Sequence, residues 1–443
     1  MVALKSRART AFSITAAGTA LVVGLVLSAR SPQPVKAMSM PPTTTAITGE
    51  ILRAKLTSTQ VLAGEQDLAV MIQMPTSANG ERAHQAAVVI VLDRSASMHG
   101  EPMENAKRAA ISFINALGPN DTFAVVTFSD RDELVVSAGR ANDDRKLAAA
   151  DAIDRIVASG GTCASCGLTR GAYELGVTAG HTRRMLFISD GEANLGIRDR
   201  DALVALAART AAHGVSISTV GVGLDFDEQT MARIGEAGRG NYYFSRDAMT
   251  LDQVFASELR GLRNIVATHV ELFAESGNDT AIGDAYGYPT NQIKTGVNVA
   301  LADLGEGEAR KVVLHADVNG PDVGPFYLLW TDPSDGSEHR ADATLSATIT
   351  TDPAKVEATR DAEAVAAVEK ARTARAIDQS VTVYDRYGAT AAKTGLQHFL
   401  RNAHITDATA RTLANGAIES YDLPGVEAKK SVRAISYELA RGR

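Results

Sequence analysis

Ala86-Ala87-Val88-Val89-Ile90-Val91-Leu92-Asp93-Arg94-Ser95-Ala96-Ser97 is the stretch whose reading decides the fold. Its unbroken apolar run, rich in β-branched side chains, suits a strand buried on both faces, the kind found in a parallel sheet. An acid closes the run at the carboxyl end, where open α/β sheets bind their ligands. If the chain stays extended through this turn, Asp93, Ser95 and Ser97 project to one side as a carboxylate and two hydroxyls. Hard oxygens of this kind suit Mg²⁺ or Mn²⁺. The same residue types also serve turns and helix caps, so the pattern alone leaves both uses open.

Two further stretches add oxygens. Gly160-Gly161-Thr162 offers a third hydroxyl on a glycine-rich loop before a helix, and Met185-Leu186-Phe187-Ile188-Ser189-Asp190-Gly191 is a second apolar strand ending in an acid and a turn glycine. Together these motifs resemble the von Willebrand factor type A (VWA) domain and its metal-ion-dependent adhesion site. All five ligand positions of that site are filled, by Asp93, Ser95, Ser97, Thr162 and Asp190. The resemblance implies that Ser95, Ser97 and Thr162 are hydroxyl ligands and that Asp93 and Asp190 bind directly or through water. It also implies Mg²⁺, with Mn²⁺ or Ca²⁺ as alternatives, and a partner protein whose Asp or Glu fills the ion's open position. Two acids and three hydroxyls cannot close a carboxylate cage, and the resemblance implies that some of the acids act through bound water, so that an ion held there keeps net positive character and an open position. Arg94 and His99 sit beside the set; the reading preferred for both is exposed loop residues, the alternative that they orient a ligand.

Strands alternate with helices from residue 85 to 261, which predicts a doubly wound, mostly parallel sheet with helices on both faces. The spacing predicts helices over 102–117, 143–157, 167–178, 202–212, 226–237 and 251–259, and strands over 122–128, 215–222 and 242–244, with an Asp-rich turn at Ser129-Asp130. Residues 46–84 read as two alternating strands, which cannot bury a core unaided. Alternating runs in 262–352 are their expected partners, giving one β-sandwich with the α/β domain inserted between its strands. The other arrangement is a short pre-strand on the α/β sheet plus an independent later sandwich. Residues 353–443 shift to Ala, Glu, Lys and Arg and predict a helical region, with breaks near Gly388 and before Asp407.

At the amino terminus, Lys5, Arg7 and Arg9 precede an uncharged, mostly apolar stretch, the charge order of a secretory leader. Residues 1–37 are therefore expected to be a signal peptide cut after Ala37, or an uncleaved membrane anchor, since the stretch is long enough to span a bilayer. Either places the bulk of the chain in the periplasm, the cell envelope or the medium. The formal charge is −7 with the leader included. Removing five basic residues makes it more acidic still, which speaks against nucleic-acid binding by charge.

The only cysteines, Cys163 and Cys166, follow Thr162 directly, a departure from what the family shows in that loop. A structural disulfide stiffening the loop is the simpler expectation outside the cytoplasm. A thiol–disulfide redox pair at a helix start is the alternative, and a two-cysteine metal site lacks neighbouring His ligands. Enzyme readings find little support: there is no G-x-S-x-G elbow, H-E-x-x-H or G-x-x-x-x-G-K motif. A phosphatase of the strand-end Asp type would need a second acid where Ser95 stands. The functional expectation is a non-enzymatic, metal-dependent protein-binding module of the cell exterior, against a redox protein or a purely structural envelope component.

Overall fold

A computed structural model describes residues 51–76, 85–176, 182–223, 226–245 and 247–440. The expected leader, 1–37, and the first residues of the 46–84 segment lie outside this set. Among the described residues, no helix is long and apolar enough to cross a membrane.

The central sheet has six strands, in the order Asp132–Arg140, Thr122–Phe128, Ala86–Asp93, Thr182–Ser189, Val215–Val222, Arg239–Ser245. All neighbours are parallel except the first pair. Strand Ala86–Asp93 lies between two parallel partners, Ile90 facing Val125 on one side and Leu186 on the other. Its residues alternate between two cores: Val88, Ile90 and Leu92 pack with Met103, Phe113 and Phe255, while Ala87, Val89 and Val91 pack with Leu168, Leu203 and Met231. Burial on both faces is why its sequence is apolar throughout rather than alternating. Helices Glu101–Ala116, Asp143–Asp154 and Ala248–Arg263 cover the first face, and Ala164–Gly176, Arg200–Ala212 and Glu228–Ala237 the second. Asp199, Asp227 and Asp247 cap three of these helices, each accepting from the backbone N–H three residues on.

Two local expectations change. The chain does not stay extended as far as Ser97: Ser95 is still extended, at φ −61°, ψ 167°, and Ala96–Met98 then form a 3₁₀ turn. The Asp-rich turn at Ser129-Asp130 leads into strand Asp132–Arg140, an antiparallel edge whose mixed burial gave no clean alternation to read.

Strand Gly64–Gln73 pairs with Leu52–Leu56 on one side and with Ala309–Val318 on the other, Leu68 facing both Leu56 and Leu314. A second antiparallel sheet, built around Ile265–Glu275 and Asp322–Thr331, closes over the same core through Leu272, Phe326 and Leu328. Chain from before and after the central sheet therefore shares one sandwich. Helix Ala362–Asn402, broken at Gly388 where φ is 81°, packs with Ala408–Ser420 and Gly425–Ala440. Its first turns lie on the outer face of the sandwich, where Ala364, Ala367 and Val368 meet Ala69, Met71 and Val313.

Candidate metal centre

The strand order reverses at Ala86–Asp93: the chain leaves it toward Thr122–Phe128 on one side and returns at Thr182–Ser189 on the other. A crevice opens beyond the carboxyl ends of strands at such a switch point. Asp93 sits at its floor with no exposed surface, fixed by two hydrogen bonds. The Ser95 backbone N–H donates to Oδ1 at 2.8 Å and the Ser189 hydroxyl to Oδ2 at 2.5 Å.

The 3₁₀ turn that replaces extended chain still brings the serine pair together, Ser95 Oγ and Ser97 Oγ lying 3.0 Å apart. The Ser97 hydroxyl donates to Asp190 Oδ1 at 2.8 Å, joining the first loop to the end of strand Thr182–Ser189. Thr162 comes from a third loop. Its backbone N–H donates to Asn194 Oδ1 at 2.8 Å, and its carbonyl accepts from the N–H groups of Asn194 and Leu195. A Cβ built on Gly191 would lie 3.4 Å from Thr162 Oγ1 and 3.5 Å from Ser97 Oγ, so both hydroxyls border one small space beside Asp190. All five residues singled out in the sequence thus meet at one strand-end cluster.

The loop before Thr162 is set by Asp130, whose Oδ1 accepts from the Gly161 N–H at 2.6 Å. Gly160 stands at φ +82° with a notional Cβ 2.9 Å from that carboxylate, so backbone conformation and space both demand glycine there. The Ala96 N–H, donating to the Gly160 carbonyl at 3.0 Å, locks the first loop to the third. Arg94 turns away to Glu133, 3.3 Å, and Ser159, 3.2 Å, so no cation from its side neutralises the acids. Ser189, Asn194 and Asp130 were not foreseen: nothing in their spacing distinguishes them from ordinary turn residues.

Electrostatics give the cluster its chemical character. Burial pushes the Asp93 carboxyl up to about 6, with Asp190 adding to the rise, although hydrogen bonds from Ser189 and Ser95 oppose it. A buried carboxylate beside a second acid is costly without a cation. Among the described residues no three His, Cys, Asp or Glu side chains are grouped to hold a metal. An ion here would rely on two acids and three hydroxyls, an all-oxygen set of hard character that fits Mg²⁺ and not zinc. Cys163 and Cys166 form a disulfide, with Cα atoms 5.3 Å apart, across the first turn of helix Ala164–Gly176.

Comparison with known proteins bears on the fold and on this site. Residues 87–257 match the family model of the von Willebrand factor type A domain. The uncharacterized protein YfbK of Escherichia coli (strain K12) is 27% identical over 244 residues, 53% of this chain and 42% of that protein. Human inter-alpha-trypsin inhibitor heavy chain H6 is 27% identical over 164 residues, 34% of this chain and 12% of that protein. The chain spans less than half the length of these curated relatives. Among solved structures, a von Willebrand factor type A protein from Catenulispora acidiphila superposes with a TM-score of 0.69 at 16% identity, covering 90% of this chain and 98% of that one. The ArnB paralog VWA2 from Sulfolobus acidocaldarius superposes at 0.59 and 14% identity, covering 88% and 98%. These likenesses extend the shared fold well beyond the α/β domain.

Proposed function

Because residues 87–257 are a von Willebrand factor type A domain, of a family that commonly mediates metal-dependent protein interaction, we propose that this chain is a divalent-metal-dependent protein-binding module. Asp93, Ser95, Ser97, Thr162 and Asp190 would hold Mg²⁺, with Mn²⁺ or Ca²⁺ as alternatives. The ion's chemistry is to present uncompensated positive charge to a carboxylate of a partner protein. The chain's own residues do the rest: Ser189 and the Ser95 N–H orient Asp93, Ser97 couples the serine pair to Asp190, and Asn194 fixes the backbone of Thr162.

The observation that carries the reading is the convergence of these oxygens from three loops on one strand-end cluster. Leu195 and Ile197, 40% and 39% exposed on the loop that holds Thr162, supply apolar surface next to the cluster for a protein ligand. No catalytic step belongs to this reading. The location we assign is extracytoplasmic, on the strength of the charge order of the leader and of a disulfide in a chain with no other cysteine.

The test is a Mg²⁺ titration of the full chain by calorimetry, repeated with Ser97→Ala and Asp190→Ala. The expected result is one site in the unaltered chain and an affinity lower by about tenfold or more in each variant. Absence of Mg²⁺, Mn²⁺ and Ca²⁺ binding in the unaltered chain would overturn the reading.

A further inference from the structure

We propose that the Cys163–Cys166 disulfide is a reversible redox modification site that sets the cation affinity of the neighbouring oxygen cluster, an inference that rests on the metal-binding reading above. The position of Cys163 motivates it. Its backbone follows Thr162 directly, and its N–H donates to the Ser129 carbonyl at 2.8 Å. Its sulfur is buried, 1% exposed, against the second ligand loop. A Cβ on Gly196, which stands at φ +65°, would lie 2.5 Å from Cys163 Sγ, so the backbone after Asp190 runs directly over the sulfur. That same segment supplies Asn194, whose side chain holds the Thr162 N–H, and Ile197, whose N–H donates to Ser165 Oγ at 3.0 Å. One sulfur is therefore wedged between the loop of Thr162 and the loop of Asp190.

A covalent bond holds two sulfurs closer than two thiols can approach, so reduction enlarges the sulfur pair. On the side of the second ligand loop Cys163 meets the Gly196 backbone, and along its own chain it meets Thr162, so a shift of its sulfur presses on one ligand loop or the other. Either movement changes the spacing of ligand oxygens on two loops together. After reduction the first turn of the helix is held only by the N–H groups of Cys166 and Gly167 on the Cys163 carbonyl, at 3.0 and 3.3 Å, which fix the backbone but not the sulfurs.

Access runs through Cys166, which is only partly buried. A thiolate of a dithiol reductant attacks Cys166 Sγ, forming a mixed disulfide and releasing Cys163 as thiolate. The second thiolate of the reductant then displaces Cys166. The reductant leaves as its disulfide, and two electrons and two protons have passed to Cys163 and Cys166.

The full chain is titrated with Mg²⁺ in three forms: as prepared, reduced with dithiothreitol, and reoxidised with diamide. Cys166→Ser serves as a permanently open bond. Amide exchange over residues 160–163 and 191–198 is followed without metal. The expected result is a Mg²⁺ affinity about tenfold weaker on reduction and in Cys166→Ser, recovered on reoxidation, with faster exchange in both segments. Equal affinity in the oxidised and reduced forms would overturn the redox site while leaving the metal reading standing. So would a disulfide that dithiothreitol cannot open in the folded chain. An oxidised chain that binds no Mg²⁺ would instead overturn the metal reading, and this inference with it.

Discussion

Gly191 shows how little at the cluster is set by any single side chain. Its missing Cβ leaves the space into which Thr162 Oγ1 and Ser97 Oγ face, and neither contact, at 3.4 and 3.5 Å, would be a clash. Gly191→Ala is therefore expected to fold normally while filling volume an ion and its waters require. Calorimetry should give a Mg²⁺ affinity about tenfold lower, with a melting temperature within a few degrees of the unaltered chain. The residues of the site were legible because each sits at a strand end or beside paired glycines, places where fold geometry and residue type point the same way. Their supporting partners were not. Ser189 and Asn194 are defined by the atoms they meet from other loops, at separations in sequence of 96 and 32 residues.

Among the elements, helix Ala248–Arg263 closes the domain through a buried charge network. Glu258 accepts from Asn241 and the Tyr243 hydroxyl, both at 2.7 Å, and from Arg184 at 3.3 Å. Arg184 also donates to Asp303 at 3.0 Å, at the edge of the sandwich. Burial alone would push the Glu258 carboxyl up, but Arg184 and these hydrogen bonds outweigh it and hold the group below its ordinary value of 4.5. A carboxyl lowered on folding contributes stability that is present above its unfolded value and lost as pH falls through the folded one. Glu258→Ala leaves the buried Arg184 with one of its two carboxylate partners, and chemical denaturation at neutral pH should show a loss of about 3–5 kcal/mol. Glu258→Gln should lose less, and its deficit should shrink as pH drops below about 4.5. An unchanged deficit there would mean that the carboxylate is not the source. The same scale shows where sequence reading fails. Strand Asp132–Arg140, at the sheet edge, lacks the period that burial imposes, and helix Gly425–Ala440 lies inside the region read as helical without being marked off as an element of its own.

For the whole molecule, the carboxyl-terminal helices are joined to the VWA domain at Lys430, which has no exposed surface. Its ammonium sits 3.4 Å from the centre of the Phe226 ring, donates to the Phe226 carbonyl, and lies 3.5 Å from Glu228. Lys430→Ala removes all three, and thermal denaturation should register a loss of about 2 kcal/mol. Amide exchange should quicken over 425–440 and 226–230 while the strand-end cluster keeps its Mg²⁺ affinity. A loss of affinity in this variant would show that the helical region controls the site.

The sequence by itself determined the α/β domain and its five strand-end oxygens, since a strand buried on both faces must be apolar and the acid after it must fall at the ligand-binding edge. Tertiary structure alone decided which strands complete the sandwich, as in Leu68 facing Leu314. It also decided that a 3₁₀ turn, not extended chain, unites Ser95 with Ser97, and that one sulfur touches both ligand loops. These are contacts between residues far apart in the chain, or dihedral choices made only under packing. Local pattern carries the period of burial but not the identity of the partner that buries it.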